Sequence, residues 1–260
     1  MYPFLHIFNI SIPTYGLCML AGVFLVAFLA YLKGKPLKIP VENIILIMAC
    51  VFGGALIAGW LFYLVVTYSL SGIFDMISKG DFSFMKNGGI VFYGGLIGGL
   101  AGGIAGKKII KTDLKTLEPL FVPYVPLGHA IGRVGCFLAG CCYGMEYSGP
   151  LAVYYPHSLA GVSPDVGYFP VQLLEAFLDV LIFAVLWRYC KKERKKFDII
   201  SVYLALYSVM RFGTECLRGD AIRGVYFGLS TSQWISIGII IVCVVRLAHS
   251  KFKANNKKGL

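Results

Sequence analysis

The sequence predicts an all-α polytopic membrane protein with seven transmembrane helices, and three observations lead to this. The chain of 260 residues is 58% hydrophobic and only 14% charged, which is more apolar and less charged than soluble domains are. Apolar runs long enough to cross about 30 Å of hydrocarbon recur along its length. The basic residues fall into alternate loops, as in membrane proteins rather than nucleic-acid-binding proteins. We therefore expect a single transmembrane domain over residues 1–260 with no nucleic-acid partner.

Seven apolar segments are predicted to span the membrane, each near the twenty residues that a crossing helix needs. They comprise residues 12–32, 41–63, 88–106, 117–140, 170–189, 199–217 and 229–247. Residues 1–11 contain no Lys or Arg, whereas a cleaved secretory signal begins with a basic region. The first span is therefore expected to remain in the mature protein.

The orientation follows from the basic residues, which concentrate on the cytoplasmic side of membrane proteins. Those after the first, third, fifth and seventh spans are Lys33, Lys35, Lys38, Lys107, Lys108, Lys111, Lys115, Arg188, Lys191, Lys192, Arg194, Lys195, Lys196, Arg246, Lys251, Lys253, Lys257 and Lys258. The opposite loops carry only Lys79, Lys86, Arg218 and Arg223. This asymmetry predicts an amino terminus outside and a carboxyl terminus in the cytoplasm.

Two outward segments, residues 67–87 and 145–169, are longer than connecting turns and are predicted to be lids or binding loops. The third span has glycine at every fourth residue on two adjacent rows. One row is Gly94, Gly98, Gly102 and Gly106, and the other is Gly95, Gly99 and Gly103. Small residues four apart share a helix face that a neighbouring backbone can approach closely, so we expect packing there rather than chemistry.

Several polar side chains inside the predicted spans share the outer half of the membrane. With a rise of 1.5 Å per residue, Arg133 lies about 24 Å along the fourth span and Arg211 about 20 Å along the sixth. The other polar residues near outer span ends are Tyr15, Tyr93, Gln172, Glu175 and Gln233. This common depth predicts a single site.

The two intramembrane arginines predict an anion site. A guanidinium at membrane depth costs about 2.5 to 3.5 kcal/mol even on lenient scales, so it is kept where it faces a counter-ion, a cavity or an anionic ligand. Arg211, Glu215 and Arg218 share a helix face at i, i+4 and i+7, so Glu215 can neutralise Arg211. With one clear carboxylate for Arg133 and Arg211, positive charge remains for a phosphodiester, whose geometry arginine suits.

Glu175 and Asp179 share one face of the fifth span. They can do acid–base work or pair with Arg133, and we favour the pairing. His129 lies one turn before Arg133, and the histidines of the chain have no metal-ligand spacing. A satisfied core histidine is therefore favoured for His129.

Three cysteines follow Arg133 closely. Cys136, Cys141 and Cys142 form a C-x4-C-C pattern, which is not a recognised zinc spacing, so neither a metal site nor a cofactor is predicted. Vicinal cysteines rarely close a relaxed disulfide. A reactive thiol site beside Arg133 is reasonable because a neighbouring cation favours the thiolate, while packing of small apolar residues explains the cysteines equally well.

Six short motifs occur in order along nearly the whole chain. They are Tyr15-Gly16, residues 88–98 (GGIVFYGGLIG), residues 132–144 (GRVGCFLAGCCYG), residues 169–176 (FPVQLLEA), residues 211–215 (RFGTE) and residues 229–233 (LSTSQ). In this order and spacing the chain resembles the prolipoprotein diacylglyceryl transferase family. The resemblance also implies seven spans with the amino terminus outside.

The resemblance implies an activity. Members of this family move the diacylglyceryl group of phosphatidylglycerol to the lipobox cysteine thiol of a preprolipoprotein, forming a thioether and releasing glycerol 1-phosphate. The implied location is the bacterial inner or plasma membrane, with membrane lipids and the lipobox peptide as partners. The implied substrate-binding residues are Arg133, Arg211, Gly132, Gly144 and Gln172. The implied catalytic residues are Tyr15, Tyr93 and Glu215.

The chain also departs from the family signature Gly-Arg-x-Gly-Asn-Phe-x-Asn-x-Glu-x-x-Gly. Cys136 and Ala139 replace the two asparagines, Cys141 replaces the glutamate, and Tyr93 stands where histidine is frequent. A phenol with a pKa near 10 is a poor general base for a thiol. These departures keep two alternatives open: cysteine-based lipid or redox chemistry, and lipid binding or transport without catalysis.

Overall fold

A computed structural model describes residues 2–8, 10–80, 91–191, 199–219 and 225–256. The structure is mainly helical, as the sequence predicts. It divides into two compact units. The first unit comprises residues 1–28 and 118–260, and the second comprises residues 29–117.

The first unit begins with a short antiparallel hairpin that the sequence analysis did not predict. Strand β1 (Phe4–Ile7) pairs with β2 (Ile10–Pro13). Helix α1 (Thr14–Gly34) follows directly. The backbone N–H and the hydroxyl of Thr14 both donate to the carbonyl of Pro3, which ties the hairpin to the start of the helix.

The helices of the second unit are α2 (Val41–Ser78) and α3 (Phe92–Ile109). Beyond them come α4 (Leu114–Phe121), α5 (Val125–Ala139), α6 (Val171–Cys190), α7 (Ile199–Glu215), β3 (Val225–Tyr226), β4 (Leu229–Ser230) and α8 (Thr231–Asn256). Helix α5 packs against α6, α6 against α7, and α7 against α8. Ile182, Leu186 and Ile199 form a buried apolar core between α6 and α7.

The predicted fourth span, residues 117–140, is not one continuous helix. It is divided into α4, a 3-10 turn at Val122–Tyr124, and α5. Pro119, Pro123 and Pro126 explain the break, because proline has no backbone N–H and its ring clashes with the carbonyl four residues earlier. The depth of about 24 Å for Arg133 assumes one continuous helix from residue 117 and stays a prediction, and within α5 Arg133 lies about 12 Å beyond the helix start.

The two predicted outward loops differ from each other. Most of residues 67–87 belongs to α2, which continues to Ser78, and residues 81–87 lie outside the described part of the chain. Residues 145–169 are not helical, and Tyr168 forms isolated bridges with Glu146 and Val153. Tyr155 within this second segment is fully buried, so the segment is packed into the unit.

The prediction of close glycine packing in the third span is confirmed for one of the two rows. A Cβ added at Gly98 would clash with the carbonyl oxygen of Gly54, and one added at Gly102 would clash with that of Cys50. In the other row, a Cβ at Gly99 would lie 3.6 Å from the Cβ of Ala55, an ordinary contact. Helices α2 and α3 therefore meet backbone to backbone along one glycine row.

The helices have the apolar surface expected in a bilayer. Among the described residues, Thr14–Leu37 and Val41–Tyr68 are long and apolar enough to cross a membrane, and Thr231–Arg246 is a shorter apolar helix. Large apolar side chains such as Phe24, Leu100 and Val209 are exposed, which suits contact with lipid. The seven spans and the orientation of the termini stay predictions.

Candidate active site

Three arginines surround one fully buried carboxylate in the first unit. Glu175 on α6 has no exposed surface. Its Oε2 lies 2.9 Å from Nε of Arg133 on α5, and its Oε1 lies 2.6 Å from Nη1 of Arg211 on α7. Nη1 of Arg218 lies 3.9 Å from the same Oε1. The predicted pairing of Glu175 with Arg133 is confirmed, and one carboxylate joins both arginines.

Helix α7 and its neighbours fix the position of Arg211. Nη2 of Arg211 lies 2.5 Å from Oε2 of Glu215, which confirms the predicted ion pair. Thr214 donates its hydroxyl to Oε1 of Glu175 at 3.0 Å, and Nη2 of Arg211 donates to the Ser232 hydroxyl on α8 at 3.5 Å. Arg211 is therefore held by contacts to three helices.

The charged groups of this cluster differ from those predicted. One clear carboxylate was expected for Arg133 and Arg211, and this is wrong because both Glu175 and Glu215 contact arginine. Arg218, whose side chain is only 3% exposed, adds a third guanidinium group. Guanidinium groups in a low-dielectric site attract anions strongly.

A second polar layer lies one helical turn away from this cluster. Nδ1 of His129 is 4.0 Å from Oδ2 of Asp179, and the His129 ring stacks on Tyr207 with ring centroids 5.2 Å apart. Within the described residues, Nδ1 of His129 and both carboxylate oxygens of Asp179 have no hydrogen-bond partner. The prediction of a satisfied core histidine is therefore wrong at Nδ1.

Gln172 anchors the segment that follows α5. Its Nε2 donates to the carbonyl of Cys141 at 2.8 Å, and its Oε1 accepts from the Tyr155 hydroxyl at 3.2 Å. Gln172 and Tyr155 are both fully buried. The observed contacts are structural, and the substrate-binding role of Gln172 stays a prediction.

Glycines bring α1 close to the helix that carries Arg133. A Cβ at Gly135 would lie 2.8 Å from the Cβ of Cys18 and 3.4 Å from the Cα of Tyr15, and one at Gly132 would lie 3.3 Å from the sulfur of Met19. This approach places Tyr15, which is 42% exposed, within electrostatic range of Arg133 and of the three clustered cysteines.

Gly144 and Tyr93 complete the predicted set. The backbone N–H of Gly144 donates to the carbonyl of Phe169 at 3.1 Å, and a Cβ at Gly144 would clash with that same oxygen. Tyr93 lies in the first turn of α3 in the second unit, and its side chain lies outside the described part of the structure. The catalytic role of Tyr93 stays a prediction.

The three cysteines converge on one point. The sulfur atoms of Cys136, Cys141 and Cys142 all lie within 4.8 Å of one another, and all three are free thiols. Hydrogen bonds from the Cys136 and Cys141 thiols lower the pKa of the Cys142 thiol, and the nearby Arg218 guanidinium adds to this effect. Three thiols with this geometry can bind a metal ion or act as nucleophiles.

Sequence reasoning missed several residues of the site. The i+7 spacing from Arg211 gave a signal for Arg218, but the count of outward basic residues placed Arg218 in a loop. Thr214 and Ser232 lie inside recognised motifs without an assigned role. Nothing in the sequence distinguishes Tyr155 from the exposed tyrosine beside it, because its burial depends on how residues 145–169 pack.

Comparison with known proteins points to one family. Residues 3–249 match the family model described as prolipoprotein diacylglyceryl transferase. The chain is 31% identical over 249 residues to the phosphatidylglycerol–prolipoprotein diacylglyceryl transferase of Clostridium tetani, covering 95% of this chain and 97% of that protein. It is 35% identical over 246 residues to the enzyme so named from Finegoldia magna, covering 92% of this chain and 91% of that protein.

A third relative is phosphatidylglycerol–prolipoprotein diacylglyceryl transferase 2 of Clostridium perfringens. It is 30% identical over 260 residues, covering 98% of this chain and 97% of that protein. The matches extend over almost the full length of the chain and include the segments that carry the arginine cluster. The chain belongs to the prolipoprotein diacylglyceryl transferase family.

Proposed function

We propose that this chain transfers the diacylglyceryl group of phosphatidylglycerol to the lipobox cysteine of preprolipoproteins, the activity stated in the names of its relatives. The observation that supports this most directly is the group of three arginines around buried Glu175. Their guanidinium groups offer N–H donors and positive charge to the negatively charged phosphodiester. Arginine is suited to this task because its planar fork matches phosphate geometry.

Arg133 and Arg211 hold the headgroup phosphate in this proposal. An arginine has five N–H donors, and the contact of Arg133 with Glu175 accounts for Nε alone, so donors remain for a phosphate. Glu175 and Glu215 fix the two guanidinium groups in place before the lipid binds. Such preorganised donors stabilise the charge that develops on a departing phosphate.

The transfer itself is a displacement at carbon. The acceptor sulfur attacks the glyceryl carbon that carries the phosphate, the carbon–oxygen bond breaks, and glycerol 1-phosphate leaves with the electron pair. The thiol proton is lost and a thioether results. Tyr15 is partly exposed beside Arg133 and contacts the lipid or the incoming thiol, while Gly132 and Gly144 keep the neighbouring backbones close to the bound lipid.

We also propose the membrane arrangement that the sequence predicts. Seven spans in a single transmembrane domain, with the amino terminus outside, place the arginine cluster in the outer half of a bacterial inner or plasma membrane. In this arrangement the lipobox peptide reaches the site from the outer side of the membrane. The basic loops then face the cytoplasm.

The test uses purified full-length protein in vesicles that contain phosphatidylglycerol. With a lipobox peptide as acceptor, wild type is expected to form a thioether detectable by mass spectrometry. Arg133→Gln is expected to lower the rate by about 100-fold or more, the usual effect of losing one charge-stabilising donor. Arg188→Gln is the matched control, because Arg188 is exposed in the last turn of α6.

The outcomes separate catalysis from its alternatives. Wild-type rates in Arg133→Gln would contradict a phosphate-binding role for Arg133. Binding of phosphatidylglycerol without any thioether from wild type would favour a lipid-binding or transport protein over a transferase.

A further inference from the structure

The arginine cluster explains how the phosphate departs, but it does not explain how the acceptor thiol is activated. A cysteine thiol has a pKa near 8.5, and the phenol at position 93 is a poor base because its pKa is near 10. The chain also lacks the two asparagines and the glutamate of the family signature, while it gains three thiols in the same short segment.

We propose that Cys136, Cys141 and Cys142 bind one Zn²⁺ ion as three thiolates and that the open fourth position takes the acceptor thiol. This inference rests on the proposed diacylglyceryl transfer, since it names how that reaction obtains its nucleophile. It replaces the expectation, drawn from the C-x4-C-C spacing alone, that the chain has no metal site.

The sulfur positions fit such an ion. Zinc–sulfur bonds are about 2.3 Å long, so three thiolates around one zinc lie about 4 Å apart. The three sulfurs of this cluster are all within 4.8 Å of one another without a metal. Zinc sites with three protein ligands keep a fourth position for water or substrate. Only small shifts of the side chains are needed to close the site.

The backbone around the thiols is held in place. The N–H of Cys141 donates to the carbonyl of Cys136 at 3.1 Å, and Gln172 binds the Cys141 carbonyl at 2.8 Å. Ser158 donates its hydroxyl to the Gly140 carbonyl at 2.6 Å. Cys142 has φ of 55°, a left-handed conformation that costs free energy for a non-glycine residue and persists where the surroundings enforce it.

The charge and the exposure around the three thiols also allow the acceptor thiol to reach the open position on zinc. Zn²⁺ with three thiolates carries one negative charge, and the guanidinium of Arg218 lies beside Cys142 to balance it. Cys136 is buried, whereas Cys141 and Cys142 are only partly buried, so the cluster has an approachable side. Tyr15 lies within electrostatic range of both the thiols and Arg133, which links the metal site to the phosphate site.

The chemical step is balanced without a redox change. The acceptor thiol binds zinc as a thiolate and releases its proton to water, because a coordinating thiol is deprotonated. Its sulfur then attacks the glyceryl carbon, the carbon–oxygen bond breaks, and the phosphate oxygen keeps the electron pair. The thioether formed is uncharged, so it binds zinc weakly and leaves. Zinc stays in the same oxidation state throughout.

The first experiment measures metal binding in full-length protein purified in detergent and dialysed against a weak chelator. We expect one tightly bound zinc per chain, replaceable by Co²⁺ with the sulfur-to-cobalt charge-transfer absorption of thiolate ligands. Cys141→Ser and Cys142→Ser should each weaken zinc binding. Cys50→Ala, in the second unit, should retain it. Zinc at less than about one-tenth of the chains after dialysis, or equal binding in all variants, would overturn the site.

The second experiment tests capture of the acceptor thiol and needs no turnover. Adding a lipobox peptide to the cobalt-loaded wild-type protein should shift the cobalt absorption, whereas the same peptide with serine in place of its cysteine should not. An unchanged spectrum would overturn the proposed fourth ligand even if zinc binds. Because this measurement uses wild-type protein, a variant that fails to fold does not affect it.

The third experiment separates this inference from the proposed function. Removal of zinc should lower thioether formation by about 100-fold or more, the usual contribution of activating a proton-bearing nucleophile, and added Zn²⁺ should restore it. Full transfer by metal-free protein would overturn the zinc inference while the proposed function stands. Zinc binding and peptide capture with no transfer from phosphatidylglycerol would support the thiol site and contradict the proposed function.

Discussion

The two units hold their helices together by opposite means. In the second unit, α2 and α3 meet through glycines, with Gly54 against Gly98. In the first unit, α5, α6 and α7 are joined by Glu175 and its arginines. Close backbone packing is sufficient to associate helices in lipid, whereas buried ion pairs are weak evidence of stabilisation because of their desolvation cost. In the proposed transfer reaction these charges bind phosphate, a role that packed glycines cannot take.

The largest effect is expected where the charged contact is broken. Glu175→Gln leaves Arg133 and Arg211 without their shared buried counter-charge, and removing one partner of a buried ion pair costs about 3–5 kcal/mol. We expect a lower melting temperature in detergent together with loss of transfer. Glu146→Gln is the matched control because Glu146 is exposed. A melting temperature equal to that of wild type would show that these contacts of Glu175 do not stabilise the protein.

The glycine contact should respond to volume rather than to charge. A Cβ at Gly98 meets the backbone of Gly54, whereas one at the adjacent Gly99 makes an ordinary contact at 3.6 Å. Gly98→Ala is expected to destabilise the protein by about 1–3 kcal/mol, the usual cost of overpacking, and Gly99→Ala by much less. Transfer activity per folded molecule should stay unchanged in both variants. A selective loss of activity in Gly98→Ala without loss of stability would assign the glycine row to the reaction.

A smaller effect is expected in the non-helical residues 145–169 of the first unit. Tyr155 is fully buried and donates its hydroxyl to Gln172, and Tyr154 beside it is 55% exposed. Tyr155→Phe should lower the free energy of unfolding by about 1 kcal/mol, as for loss of one hydrogen bond, while Tyr154→Phe should leave it unchanged. Thermal unfolding of the two variants provides the comparison, and equal values would mean that this hydrogen bond contributes nothing.

Much of the helical fold could be predicted from the sequence because apolar length is a local property. The predicted spans overlap α1, α2, α3, α6, α7 and α8. The division of residues 117–140 into two helices was not predicted, because the apolar length of this segment is typical of one span although it contains Pro119, Pro123 and Pro126. The two antiparallel hairpins, β1–β2 and β3–β4, were not predicted because their strands are very short.

The site could be predicted only in part. The i, i+4 and i+7 spacing of Arg211, Glu215 and Arg218 encodes their common face. The contacts of Glu175 with arginines on two other helices depend on tertiary packing, which sequence spacing does not specify. The convergence of the cysteines depends on left-handed backbone at Gly140 and Cys142, which a C-x4-C-C pattern does not specify.

The smallest effect is expected at Gly53. Its substitution tests whether the glycines of α2 are required only where α3 approaches closely. Gly53 and Gly54 are neighbours on α2, but a Cβ at Gly53 has no atom within 4 Å, whereas one at Gly54 clashes with Gly98. Alanine is favoured over glycine inside a helix by about 0.5–1 kcal/mol. Gly53→Ala should therefore raise the melting temperature slightly, while Gly54→Ala should lower it. Destabilisation by Gly53→Ala would mean that helix flexibility, rather than close approach, accounts for glycine in this region.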